Sequence, residues 1–224
     1  MIKCLIFLSL CFSANHRYDI TLMGANTAEV EINFSDTTLN QKNCISINFK
    51  AKTKKLTNII FPVDCRYNTI INKNLQTLSF SKITSQPGIS NLIETNFKDN
   101  HAHYKLNDYK IPKKSLNIFT LLYHLKINQP NSSRYTLERE GLLYEAYIDI
   151  ILENDDYIKY NLEIDQMENN SNKAIIKNTD IFTWAVYRKD AKRIIWIDKK
   201  KNRIDKCEFD LGFFTLSAKY IKND

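Results

Sequence analysis

Glycine and proline are scarce, with four of each among 224 residues. Few turns can use them, so many must rely on the abundant Asn and Asp, which tolerate turn geometry. Glycines at Gly24, Gly88, Gly141 and Gly212 alone exclude a glycine-rich phosphate loop, and no Gly-x-Ser-x-Gly elbow presents a serine nucleophile. No stretch after the first residues approaches the length of a membrane-spanning helix, so no transmembrane span is expected in the mature chain. No constellation commits the chain to catalysis, and no cofactor is implied. An envelope hydrolase stays the least favoured reading. It would rest on a carboxylate pair drawn from Glu138, Glu140, Glu145, Asp149 and Glu153, whose alternation with apolar residues reads instead as a solvated strand face.

What the chain has in quantity is alternation. Ala28, Val30, Ile32 and Phe34 alternate with Glu29, Glu31 and Asn33, and every even position from Leu142 to Leu152 is apolar. A period of two puts one set of side chains on each face of a strand. Further strand patterns run through Tyr18–Met23, Asn43–Ala51, Gln76–Ser85, Asn91–Phe97, Ala102–Leu106, Arg134–Glu138 and Tyr157–Ile164. Ala174–Ile176, Phe182–Tyr187, Arg193–Ile197, Arg203–Glu208 and Phe213–Tyr220 complete the set. Between Ser115 and Leu125 the spacing becomes helical, with Ser115 or Asn117 as the cap and Gln129-Pro130 as the stop. The expected fold is mainly β: a strongly curved antiparallel sheet or open β-barrel-like domain with one short helix, over residues 15–224.

Residues 1–14 read as a signal peptide: Lys3 supplies a basic start and Cys4–Phe12 a compact apolar run. Cys11 as a lipid attachment site and an uncleaved buried first strand are alternatives. An exported, periplasmic or envelope-associated chain makes nucleic acid an unexpected partner despite the net charge of +7. That charge is uneven: eight basic residues and one acid between Gln41 and Lys82, ten acids and two basic residues between Glu138 and Glu168. Such blocks can pair across neighbouring strands.

Removing the leader leaves Cys44, Cys65 and Cys207. A hairpin of Asn43–Ala51 and Ile59–Ile70 turning at Lys54-Lys55 sets Cys44 opposite Cys65, the candidate disulfide; three unpaired buried thiols are the alternative. His101 and His103 fall on one strand face, yet they follow a turn where polar residues are expected, and no metal site is assigned. Asn117, Tyr123 and Lys126 on the helix could face a polar ligand, although Asn117 also suits a cap and Tyr123 a core. Trp184, Asp190 and Arg193, with Tyr187 and Trp196 nearby, could stack on a sugar or a lipid headgroup; a turn salt bridge beside core aromatics is the plainer reading.

Three segments carry a resemblance: Tyr18-Asp19-Ile20 through Gly24 to Ala28, the run Asn117–Lys126, and Trp184–Arg193 with Asp190 three residues before Arg193. Together they resemble the exported bacterial proteins called "domain of unknown function 3108". Here Asn117, Thr120 and Lys126 stand where that family usually has Asp, Ser and Arg, and Ile195 where it has Pro. The resemblance implies a mostly β, periplasmic or surface protein and brings no catalytic residues. With the leader, the long alternating strands and the many Tyr and Phe, the expected role is a non-enzymatic periplasmic binder of an amphipathic or glycan envelope ligand, a lipid or a glycan. The alternative is an assembly factor docking on another envelope protein.

Overall fold

The computed structural model describes residues 14–168 and 172–221. The expected leader, with Cys4 and Cys11, lies outside the described residues apart from Ala14, as do residues 169–171 of the polar loop after Glu168.

The N-terminal half supplies β1 (Ala14–Leu22), β2 (Ala25–Leu39), β3 (Lys42–Thr53), α1 (Lys55–Ile60), β4 (Asp64–Asn72), β5 (Thr77–Gln86), β6 (Ile89–Lys98), β7 (His101–Tyr104) and β8 (Asp108–Lys110). After α2 (Ile118–Asn128) come β9 (Ser133–Arg139), β10 (Leu142–Glu153), β11 (Tyr157–Gln166), α3 (Ile181–Tyr187), β12 (Lys192–Asp198), β13 (Arg203–Asp210) and β14 (Thr215–Ile221). All fourteen strands join one antiparallel sheet, in the order β8 to β1, then β14 down to β9. The first and last strands are thus partners near its middle, with Arg17 opposite Ile221 and Leu22 opposite Leu216.

The scarce glycines are replaced in turns as the composition requires. Asn40-Gln41 and Asp99-Asn100 each hold two successive positive φ values, the geometry of a tight two-residue hairpin. Gly141 cannot be replaced this way, because a Cβ there would meet the Lys173 carbonyl oxygen at 2.7 Å.

The sheet curls but does not close by hydrogen bonds, since β8 and β9 are both edges. Side chains seal the seam instead. Ile93 and Tyr104 from the β8 side pack with Leu143 from the β9 side. Leu116 lies along β9, accepting from Glu138 N at 2.7 Å and donating to the Thr136 carbonyl at 2.9 Å, which covers that exposed edge. α2 then plugs one end of the barrel: Leu121 and Leu125 are fully buried, and Phe119 packs against Phe49, Tyr67 and Phe80.

Three expectations are corrected. There are three short helices, not one. Phe182–Tyr187, rich in β-branched and aromatic residues, is helical in α3 because Asp180 caps it, accepting from Thr183 N at 3.0 Å and Thr183 Oγ1 at 2.8 Å. Ala174–Ile176 forms no strand, while β8 was not anticipated.

The Cys44–Cys65 disulfide also falls. α1 intervenes where a tight turn was expected, so Ala51 faces Cys65 and Cys44 faces Asn72. The two thiols stand seven residues apart along the ladder, roughly 23 Å. Cys44, Cys65 and Cys207 are all free and buried.

Candidate functional site

An apolar cavity of about 250 Å³ occupies the middle of the barrel. Its wall is built by strand alternation: Ile20 from β1, Val30 and Ile32 from β2, Ile204 from β13 and Leu216 and Ala218 from β14 all point inward. Leu122 of α2 and Phe182 and Val186 of α3 complete it. The phenol of Tyr18, also in the wall, is spent on the Ile204 carbonyl at 3.0 Å. The cavity reaches the rim at the end opposite the α2 plug, where Thr57 and Phe61 beside α1 and Ile181 of α3 join its lining.

That rim is unusually apolar for a surface. Ile60 is 82% exposed, Ile59 77%, Met23 76% and Leu56 74%. Phe213 in the β13–β14 turn is exposed as well. Antiparallel order brings these three separate segments to one end of the barrel. Large apolar side chains clustered on a surface mark an interaction site more often than a chance exposure.

Toward the α2 end the cavity gives way to a polar and aromatic group. Tyr123 packs against Phe34 at a tilt of 42°, with ring centroids 5.2 Å apart, and the Lys126 ammonium sits 4.2 Å above the Phe34 ring. His16 contacts both Phe34 and Tyr220, and the Arg203 guanidinium lies 3.6 Å above Tyr220. Burial, then the charges of Lys126 and Arg203, push the His16 imidazole down to about 4. Burial lowers Lys126 as well.

A second polar group lies in the seam. Lys82 of β5 is 1% exposed and bridges two buried carboxylates, Glu140 and Asp180, with Asp180 Oδ2 at 2.5 Å. Thr179 Oγ1 also donates to Glu140 at 2.9 Å, and the Tyr67 hydroxyl donates to Asp180 at 2.5 Å. Burial works to raise Asp180, but the adjacent Lys82 charge and the hydrogen bonds from Lys82, Tyr67 and Thr183 N hold it below the usual carboxylate range. Glu138 is 2% exposed and accepts from the Tyr104 hydroxyl and from Gly141 N at 2.8 Å. Burial outweighs those bonds and raises it to about 7. Glu138 and Glu140 are therefore not on a solvated face: Glu138, in β9, is buried against Tyr104, and Glu140, in the β9–β10 turn, against Lys82. These groups bond to one another across the seam and fasten it.

The remaining sequence candidates have local duties. Asn117 caps α2, accepting from Thr120 N at 2.9 Å, while its Nδ2 donates to Thr69 Oγ1 at 3.0 Å. Arg193 does not pair with Asp190. It is buried and donates to the carbonyls of Val186, Arg188 and Ala191, fixing the turn after α3. Asp190 pairs with Arg188, whose guanidinium lies 5.0 Å from the Trp184 ring on the exposed side of α3. Trp196 stands elsewhere, flanked by Lys159 and Lys206. His103 is engaged by Asp108 at 2.9 Å, and no group of three metal-ligating side chains occurs among the described residues. Of the sequence candidates, only Tyr123 and Lys126 adjoin the cavity's inner end. Their companions His16 and Arg203 were missed, since an isolated histidine and a strand-end arginine carry no pattern.

No helix among the described residues is long and apolar enough to cross a membrane. Comparison with curated protein sequences finds no match. Among solved structures, the chain is similar to the crystal structure of a β-barrel-like protein of domain of unknown function DUF1849 from Brucella abortus. The TM-score is 0.56 at 10% identity, covering 93% of this chain and 95% of that one, a likeness of fold. A family model described as "Protein of unknown function (DUF3108)" matches residues 17–207.

Proposed function

The chain belongs to the DUF3108 family, proteins of unknown function, and on its own geometry we propose that it is a non-enzymatic binder of the alkyl portion of an amphipathic molecule. The observation that carries this reading is the 250 Å³ cavity walled by aliphatic and aromatic side chains. An engineered apolar cavity of about 150 Å³ already binds benzene, so this one has room for a short hydrocarbon chain. A glycan fits less well, because the wall offers almost no hydrogen-bond partners to a ring of hydroxyls. The apolar rim supports entry from an apolar surface, where a chain could pass inward without crossing water. The leader-like start of the sequence supports an exported setting, in which the ligand would be an envelope amphiphile.

The same rim favours a second reading, docking on another envelope protein. The two separate in one experiment: native mass spectrometry of detergent-free protein, followed by titration with 1-octanol. The Ala218→Phe variant, which projects a ring into the cavity but leaves the rim untouched, is the control. The binding reading expects uptake of one octanol by the wild type and none by the variant. A wild type that takes up no alkyl ligand at saturating concentration would end this reading in favour of docking.

A further inference from the structure

Beyond the inner end of the apolar cavity the barrel interior turns polar, and four elements reach that layer in step. On β1, His16 lies two residues beyond Tyr18 of the wall and directly opposite Ile32, also of the wall. On β2, Phe34 follows Ile32 by two; on β14, Tyr220 follows Ala218 by two. On α2, Lys126 stands four residues after Leu122, a rise of about 6 Å. The cationic group is thus the next layer of the barrel beyond the apolar cavity.

One charge of this layer, that of Lys126, has no ion-pair partner among the described residues. Its ammonium rests over the Phe34 and Tyr123 rings. Asp205 and Asp198 take one terminal nitrogen of Arg203, at 2.9 and 3.6 Å, and leave its buried Nε without a hydrogen-bond partner. His16 Nδ1 is likewise buried and unpartnered. Buried polar nitrogens are almost always satisfied in a folded protein, so the Arg203 Nε–H beside an unpaired ammonium calls for an acceptor, and His16 in its Nδ1–H tautomer would add a second donor. Lys126 also lies in the last turn of α2, where a cation is favoured by the helix dipole. That placement accounts for one charge but for neither orphaned nitrogen.

We propose that this layer receives the head of the ligand, and that the ligand is a single-chain alkyl carboxylate: tail in the apolar cavity, carboxylate between Lys126, the Arg203 Nε and His16. The inference rests on the binding reading above and adds the chemistry of the head and its direction.

The test compares three ligands with one tail: octanoate, 1-octanol and octylammonium, titrated into the full chain at constant ionic strength. The expected order of affinity is octanoate, then octanol, then octylammonium. Charge-assisted bonds should separate the first two by about tenfold or more. Lys126→Met should abolish the preference for octanoate over octanol, and Lys126→Arg should restore it. Octanol binding equal to or tighter than octanoate in the wild type overturns the proposal while the cavity reading stands. So does a preference that survives Lys126→Met. If none of the three binds, the cavity reading fails and this one with it. The wild-type series needs no variant to fold, so the outcome does not depend on the mutant.

Discussion

Replacing Glu138 by Gln should make this protein more stable, and only above a definable pH. Glu138 is 2% exposed, and its carboxyl is raised from the ordinary 4.5 to about 7, chiefly by burial. Below the ordinary value both the folded and the unfolded chain hold the proton, and the residue makes no difference. Between about 4.5 and 7 the unfolded chain releases a proton that the fold retains, so stability falls as the pH rises; above about 7 both states are ionised and the loss is complete. That gap corresponds to about 3 kcal/mol. Gln has no proton to lose, yet its amide oxygen can still accept from the Tyr104 hydroxyl and Gly141 N, the two donors now aimed at Glu138 Oε1. Urea unfolding followed by the fluorescence of the two tryptophans should therefore give coincident curves for wild type and variant near pH 4.5. Near pH 8 the variant midpoint should lie higher by about 1–2 M, for a urea slope of about 2 kcal/mol/M. A variant less stable than wild type at pH 8, or a difference independent of pH, would refute the reasoning and mean that Glu138 is ionised and compensated in the fold.

Two further substitutions probe the seam. Lys82→Met removes the cation between Glu140 and Asp180 and should cost about 3–5 kcal/mol at pH 7, the usual penalty for breaking a buried ion pair. Its deficit should shrink as the pH falls, because Asp180, no longer held down by Lys82, takes up a proton; a deficit that grows on acidification argues against the pairing. Gly141→Ala combines a strained φ of +89° with a Cβ 2.7 Å from the Lys173 oxygen. It should lower thermal stability by about 2 kcal/mol or more, and an unchanged melting temperature would show that the Lys173 segment gives way freely.

The strands were legible because alternation is a local property. Val30 and Ile32 announce their face within seven residues, and Asn117 announces a cap three residues before the Thr120 amide it accepts from. The failures share a different cause. Ile181–Tyr187 has the side chains of a strand, and only the Asp180 cap and the shape of the barrel end make it a helix. Cys44 and Cys65 were misaligned because six residues that looked like turn and strand form α1. Lys82 and Glu140 are 58 residues apart, so neither could be read as buried until the fold supplied the other. The group at the cavity's inner end draws on His16, Lys126 and Arg203, from β1, α2 and β13, and no spacing links them. Lys126 and Tyr123 were visible as polar interruptions of an apolar helix, which is the one part of that group with a local signature.

The pairing of β1 with β14 has a consequence for how the molecule comes into being. One flank of β1 matches β2, made moments later, but the other must wait for residues 216–221, at the far end of the described chain. During synthesis the N-terminal strands can zip into a hairpin series, yet β1 stays an open edge until β14 has been made. Such long-range closure is slow and leaves a strand edge available for wrong partners in the interval. A chain shortened by its last strand would not simply lose a periphery: the sheet would part at its centre into two halves, with α2 and its flanking segments as their only covalent tie. Strand neighbours follow sequence order everywhere but at this one join, and the sheet is completed at its middle.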